Sequence, residues 1–154
     1  MSVQPVTDNM VKIKFPLEWN EGQGIKSEWM WAFTEDEGFR IDNIPVFVAE
    51  AFYGDLVSAE VDEDGVLTYK EVVQEGPFYR CYVFFDRNHP EESSICKLMW
   101  ELGDRYGAKV EAASRSLLAV AYDDDKGHAI FEHLVELHKS GIIRDFYIDH
   151  AEDQ

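Results

Sequence analysis

At 154 residues the chain is near the modal size of one domain and short for two independent ones. An apolar share of 45% with 14% aromatics supports a packed core and excludes disorder over most of the length. Fourteen Lys and Arg against 31 Asp and Glu leave a net charge of −17, which repels phosphate backbones and anionic bilayers, and no stretch approaches the roughly 20 apolar residues of a membrane span.

The first signals along the chain are short strands. Val11-Lys12-Ile13-Lys14-Phe15 and Trp29-Met30-Trp31-Ala32-Phe33 alternate with period two, bounded by Gly24 and the acidic turn Glu35-Asp36-Glu37-Gly38. Phe39-Arg40-Ile41 restarts a strand that Pro45 ends, and residues 46–53 fit either one helical turn or a loop. Strands over 56–61 and 66–73 flank Asp62-Glu63-Asp64-Gly65, a four-residue hairpin connection with a glycine available for positive φ. Five short strands without a long helix predict a small antiparallel barrel or rolled sheet over residues 10–76.

Beyond Gly76-Pro77 the pattern changes. Residues 78–85 form an aromatic and β-branched strand. Pro90, with Glu91 and Glu92 in the first turn, opens a helix whose buried stripe is Ile95, Leu98, Met99, Leu102 and Tyr106 and whose stop is Gly107. Strands over 109–113 and 117–122 follow, joined by Ser114-Arg115-Ser116. Asp123-Asp124-Asp125 supplies cap and dipole partners for a second helix, which buries Ile130, Phe131, Leu134, Val135 and Leu137 and stops at Gly141 before a last strand over 142–148. The order β-α-β-β-α-β predicts a ferredoxin-like plait over residues 77–150, packed with the β-rich module into one α+β unit.

Three stretches carry a family resemblance: Glu28-Trp29-Met30-Trp31, Gly38-Phe39-Arg40-Ile41-Asp42-Asn43-Ile44-Pro45-Val46-Phe47, and Gly54-Asp55-Leu56-Val57. The chain resembles the bacterial domain-of-unknown-function family 4265, which reads E-x-x-W, then R-x-D-N-x-P-F, then G-D-x-V, with a weaker echo in Gly107-Ala108-Lys109-Val110-Glu111 and Leu118-Ala119-Val120. Two positions depart from it. The small polar stretch that the family often places before an Arg is Gly76-Pro77-Phe78-Tyr79 ahead of Arg80 here, and Ala108 stands where the family often has Cys. The resemblance implies small standalone proteins without an established activity.

No residue set announces catalysis. Asp42-Asn43-Ile44-Pro45 is turn chemistry, with Asp and Asn bonding their own backbone; its functional reading makes Arg40, Asp42 and Asn43 the polar lining of a cleft beside Trp31. Gly54-Asp55 reads as a structural tie for a neighbouring loop. His128, His133 and His138 recur every five residues, about 140° apart around a helix. No H-E-x-x-H, paired C-x-x-C, Walker loop or G-x-S-x-G is present, so no catalytic residue, metal or cofactor is expected. Cys81 and Cys96 are expected to be buried small hydrophobes. Met1-Ser2-Val3-Gln4-Pro5 lacks a signal pattern, giving the expectation of a cytoplasmic, reduced protein.

The strand at 78–86 presents Tyr79, Cys81, Val83 and Phe85 to the helices and Phe78, Arg80, Tyr82 and Phe84 to the other face, which Leu118, Val120 and Tyr122 are expected to extend. Arg80 is expected to be partly buried and paired with Asp42 or Asp55, since an unpaired charge there would be costly. The excess of acidic groups is eleven through Gly76 and six beyond it. The N-terminal strands are expected to cover that second face of the sheet, since exposed apolar patches of this extent are rare. The functional expectation is a non-enzymatic protein-binding module, immunity-like in taking a basic partner, with Tyr82 and Phe84 as aromatic anchors where their face is open and Trp19 in reserve. The alternative is a small-ligand sensor or enzyme with a pocket between the modules near Trp31, Arg40, Asp42 and Arg80. Nucleic acid and membrane are not expected partners, and the residues set no oligomeric state.

Overall fold

The computed structural model describes residues 9–18, 24–85, 92–114 and 116–149. It is an α+β protein, mostly sheet with two helices, and divides into two units at Gly76/Pro77. In the first unit, β1 (Met10–Pro16), β2 (Ser27–Glu35), β3 (Gly38–Ile41), β4 (Leu56–Val61) and β5 (Leu67–Gln74) follow one another as antiparallel neighbours. A parallel contact of Lys14 with Thr68 brings β5 back to β1 and closes a barrel. The period-two alternation decides what goes inside. Ile13 and Phe15, Met30 and Ala32, Ile41 and Val57 are fully buried, joined by Val48 and Ala51 from the long β3–β4 connection. Phe15 stacks on Tyr69 at 4.6 Å. Register shifts between Leu56 and Val57 and between Ser58 and Ala59 bend β4 against β5, as closure of so small a ring requires.

The 62–65 hairpin is built on Asp62. Its Oδ1 accepts from the Asp64 and Val66 amides, both at 2.9 Å, while Gly65 takes φ +80°. The Val66 bond, then those from Asp64 and Thr68 and the charge of Lys14, hold the Asp62 carboxyl below its ordinary value against a smaller opposing effect of burial. Residues 46–53 form bends and a turn, not a helix.

The second unit runs β6 (Phe78–Phe84), α1 (Glu92–Tyr106), β7 (Lys109–Ser114), β8 (Leu117–Asp123), α2 (Asp124–Lys139) and β9 (Asp145–Asp149). The sheet order is β7-β8-β6-β9 with every neighbouring pair antiparallel. Cys81, Val83 and Phe85 meet Leu98, Leu102, Ile130 and Leu134 of the two helices in one core. Gly107, at φ +67°, ends α1 where an L side chain would be strained.

Several expectations are corrected here. Leu118, Val120 and Tyr122 lie opposite Val83, Cys81 and Tyr79 and so share their helix-facing side; Leu117, Ala119 and Ala121 occupy the other face. Cys96 is exposed, because it sits one residue, about 100° of helix, past Ile95 of the buried stripe. Phe131 stands likewise beside Ile130; it is 44% exposed and meets the edge of Phe146 at 5.8 Å. Asp123 is the N-cap of α2 but makes no side-chain capping bond, since its backbone is still paired in β8 opposite Phe78. The last strand begins at Asp145 and not at Ile142, because the amides of Ile142 and Ile143 turn back to the Leu137 carbonyl and are lost to a ladder. The opening of α1 at residues 89–91 lies outside the described residues, as do Arg115 and Trp19.

Candidate functional site

The β3–β4 connection, residues 42–55, has little regular structure, and the side chains of Glu28, Asn43 and Asp55 help to shape it by accepting backbone N–H groups. Glu28 lies at the inward parity of β2, with Met30 and Ala32, and its carboxylate accepts three successive backbone N–H groups. Val46 donates to Oε2 at 2.8 Å, and Phe47 and Val48 donate to Oε1 at 2.9 and 3.0 Å. Asn43 Oδ1 accepts the Trp31 amide at 2.7 Å, and the Asp42 amide donates to the Trp31 carbonyl at 2.8 Å. Asp55, 4% exposed, accepts the Phe52 amide at 2.9 Å and the Gly76 amide at 2.8 Å. A side chain on Gly76 would stand 2.6 Å from the Gly54 carbonyl oxygen, so only glycine brings that amide to Asp55. Asp42, Asn43 and Asp55 therefore give hydrogen bonds that shape a loop.

The opposite parity of β2 faces outward. Trp29 and Trp31 are 45% and 43% exposed, Phe33 is half-buried, and Glu35 closes the row at the acidic turn. Lys12, opposite Trp31 in the β1–β2 register, places Nζ 6.0 Å from the Trp29 ring centre and 5.6 Å from that of Trp31. Arg40, across from Phe33, bonds both carboxylate oxygens of Glu35, Nε to Oε2 at 2.9 Å and Nη2 to Oε1 at 2.7 Å, and donates to the Gly54 carbonyl at 3.2 Å. The Arg40 hydrogen bonds, and then its charge, hold the Glu35 carboxyl below its ordinary value, and Glu35 in turn raises Arg40. An open surface cleft of about 480 Å³ lies here, lined by Glu35, Asp36, Glu37, Arg40, Leu56 and Gln74. With Glu35 on the guanidinium, this cleft offers carboxylates and not a waiting cation.

Of the candidate residues read from sequence, Trp31, Arg40, Asp42 and Asn43 converge on the β2–β3 hairpin and its exit. Arg80, Tyr82 and Phe84 line one face of β6 in the second unit. Arg80 is 3% exposed, with its guanidinium carbon 5.9 Å from the Tyr82 ring centre. Tyr82 is buried at 9%, so of the two expected anchors only Phe84, at 36%, reaches solvent. Tyr147, opposite Tyr82 on β9, is 57% exposed.

Two features escaped the sequence reading. The triple acceptor role of Glu28 was signalled by an acid at the inward parity of a strand. The Lys12–Trp contact was signalled by the hairpin register.

Among the described residues no group of three or more His, Cys, Asp or Glu side chains is placed to hold a metal. His128 reaches Glu132 at 3.0 Å on the open side of α2, and His133 bonds Glu101 of α1 at 3.1 Å. Burial pushes the Cys81 thiol up to about 12, which removes it as a nucleophile near neutrality. No helix among the described residues is long and apolar enough to cross a membrane.

A hypothetical protein from Neisseria gonorrhoeae has a similar fold, with a TM-score of 0.64 at 15% identity over 91% of this chain and 92% of that one. No curated protein matches the sequence. Residues 28–144, which hold the Glu28 clamp, the tryptophan row and nearly all of the second unit, match the family described as Domain of unknown function (DUF4265), and the chain belongs to that family.

Proposed function

We propose that the protein is a non-enzymatic protein-binding module that takes a basic partner on the outward row of β2. The observation that carries this reading is the row itself, in which exposed Trp29 and Trp31 lead through Phe33 into Glu35, Asp36 and Glu37. Half-exposed tryptophans have a large apolar surface to lose on docking, and rim carboxylates draw a cationic partner in over the roughly 8 Å screening length of physiological salt. The net charge of −17 favours the same partner class. The scaffold is read as a small barrel followed by a ferredoxin-like plait; the β-α-β-β-α-β order and a sheet with β6 and β8 at its centre support it. Two unpaired cysteines suit a reducing, cytoplasmic setting.

A photo-crosslinking amino acid at exposed position 12, opposite Trp31, with the exposed Trp100 position on α1 as control, tests the reading in cells. The expected adduct is a basic protein captured from position 12 alone, whose association slows with added salt far more than its dissociation changes. An adduct equally abundant from position 100, or an association rate indifferent to salt, overturns the proposal.

A further inference from the structure

Lys12 shows what the tryptophan row attracts. Its ammonium stands within about 6 Å of both indole centres on an exposed face, where the pull of the two ring faces opposes its hydration. Further along the same face Arg40 grips Glu35, so the row meets cations at both ends. Asp36 and Glu37, at the turn, hold no hydrogen bond or ion pair among the described residues. Trp29 and Trp31 are two residues apart on a strand, roughly 7 Å, a spacing that a flat group can cover.

We propose that Trp29 and Trp31 form a cation seat held in the free protein by Lys12, and that an arginine of the basic partner takes this seat on binding. The inference rests on the protein-binding reading and names the side chain that such a partner must offer. Arginine is preferred because guanidinium is planar, less strongly hydrated than ammonium, and stacks on indole. Lys12 leaves readily, since it is an exposed residue on a flexible four-carbon stem. A second partner cation four residues on in an extended segment, about 13 Å away, would reach the carboxylates of the turn.

The test uses the full chain and three ten-residue peptides that alternate glycine with arginine, lysine or citrulline, the last a neutral isostere of arginine. The readout is the indole N–H resonances of Trp29, Trp31 and Trp100 together with the amides of residues 35–37. The arginine peptide is expected to shift Trp29 and Trp31 but not Trp100, the lysine peptide less, and the citrulline peptide not at all. Lys12→Gln should tighten arginine-peptide binding about two- to fivefold by removing an exposed cation–π competitor. Lys70→Gln, an equal change of charge on β5, should not, and Trp31→Ala should abolish the Trp29 shift. Still indoles with moving 35–37 amides, or equal effects of Lys12→Gln and Lys70→Gln, overturn the seat and leave the basic-partner reading standing. Silence at both places overturns the two together.

Discussion

Replacing Glu28 by alanine should unfasten the 42–55 connection and destabilise the first unit by about 3 kcal/mol. The carboxylate accepts three backbone amides at 2.8, 2.9 and 3.0 Å. Hydrogen bonds to a charged group contribute about 1.5–3 kcal/mol each, which would sum to roughly 4.5–9 kcal/mol if the amides stayed dry and unpaired. Glu28 is only half-buried, so water reaches part of the loss and about 3 kcal/mol remains. Glu28→Gln keeps a carbonyl oxygen where the Phe47 and Val48 amides converge but sets an NH2 group against Val46, so it should cost about half as much. Urea unfolding gives the free energy, and hydrogen exchange at the amides of 46–48 locates it. Wild-type midpoints combined with undiminished protection of those three amides in Glu28→Ala would refute the clamp.

Other substitutions probe separate links. Gly76→Ala should cost about 1–3 kcal/mol as an overpacking change, since its methyl meets the Gly54 backbone at 2.6 Å; a variant as stable as wild type in thermal unfolding would contradict the close approach. In native protein one thiol, Cys96, should react rapidly with a disulfide reagent while Cys81 waits for unfolding, and two fast thiols would contradict its burial. Cys81 and Tyr69 are both pushed up to about 12, mainly by burial, from ordinary values of 9.0 and 10.0. Each stays protonated in the fold where the unfolded chain ionises. Their contribution is therefore complete below pH 9 and is lost as pH rises from about 9 to about 12, a decline that Cys81→Ala should make shallower in alkaline unfolding. Arg40→Gln should return the Glu35 carboxyl toward its ordinary value of 4.5 in an NMR titration; an unchanged midpoint would mean that the bidentate pair does not hold it down.

Elements with a strong local pattern were legible in the residues. The alternation 11–15 and 29–33 gave both partners of the first hairpin, and the stripes Leu98–Leu102 and Ile130–Leu134 set the faces of both helices. What local pattern could not supply was pairing. Whether Leu118 and Val120 face the helices depends on the β6–β8 register, in which Cys81 meets Val120, and no periodicity within β8 distinguishes its two faces because 117–122 is apolar throughout. Phe131 and Cys96 show the matching limit for helices: an apolar residue one step off the stripe joins the core only if a neighbour reaches it. The site followed the same rule. Trp31, Arg40, Asp42 and Asn43 lie close in sequence and came together, whereas Glu28 serves residues 18 to 20 positions away.

The acidic excess is therefore not one property. Glu28, Asp55 and Asp62 spend their oxygens on seven backbone N–H groups, and without them the long connection and the 62–65 hairpin would lose their shape. These acids are part of the fold, and their charge is answered chiefly by amides, with Lys14 also 3.5 Å from Asp62. Glu35 is answered by Arg40. Asp36 and Glu37 are answered by nothing among the described residues, and they stand beside a tryptophan row that already holds a borrowed cation in Lys12. Solubility alone would be served by carboxylates anywhere on the surface. Their placement at the end of an outward aromatic strand is what a basic partner requires, because the charges that steer it and the rings that hold it must lie on one face.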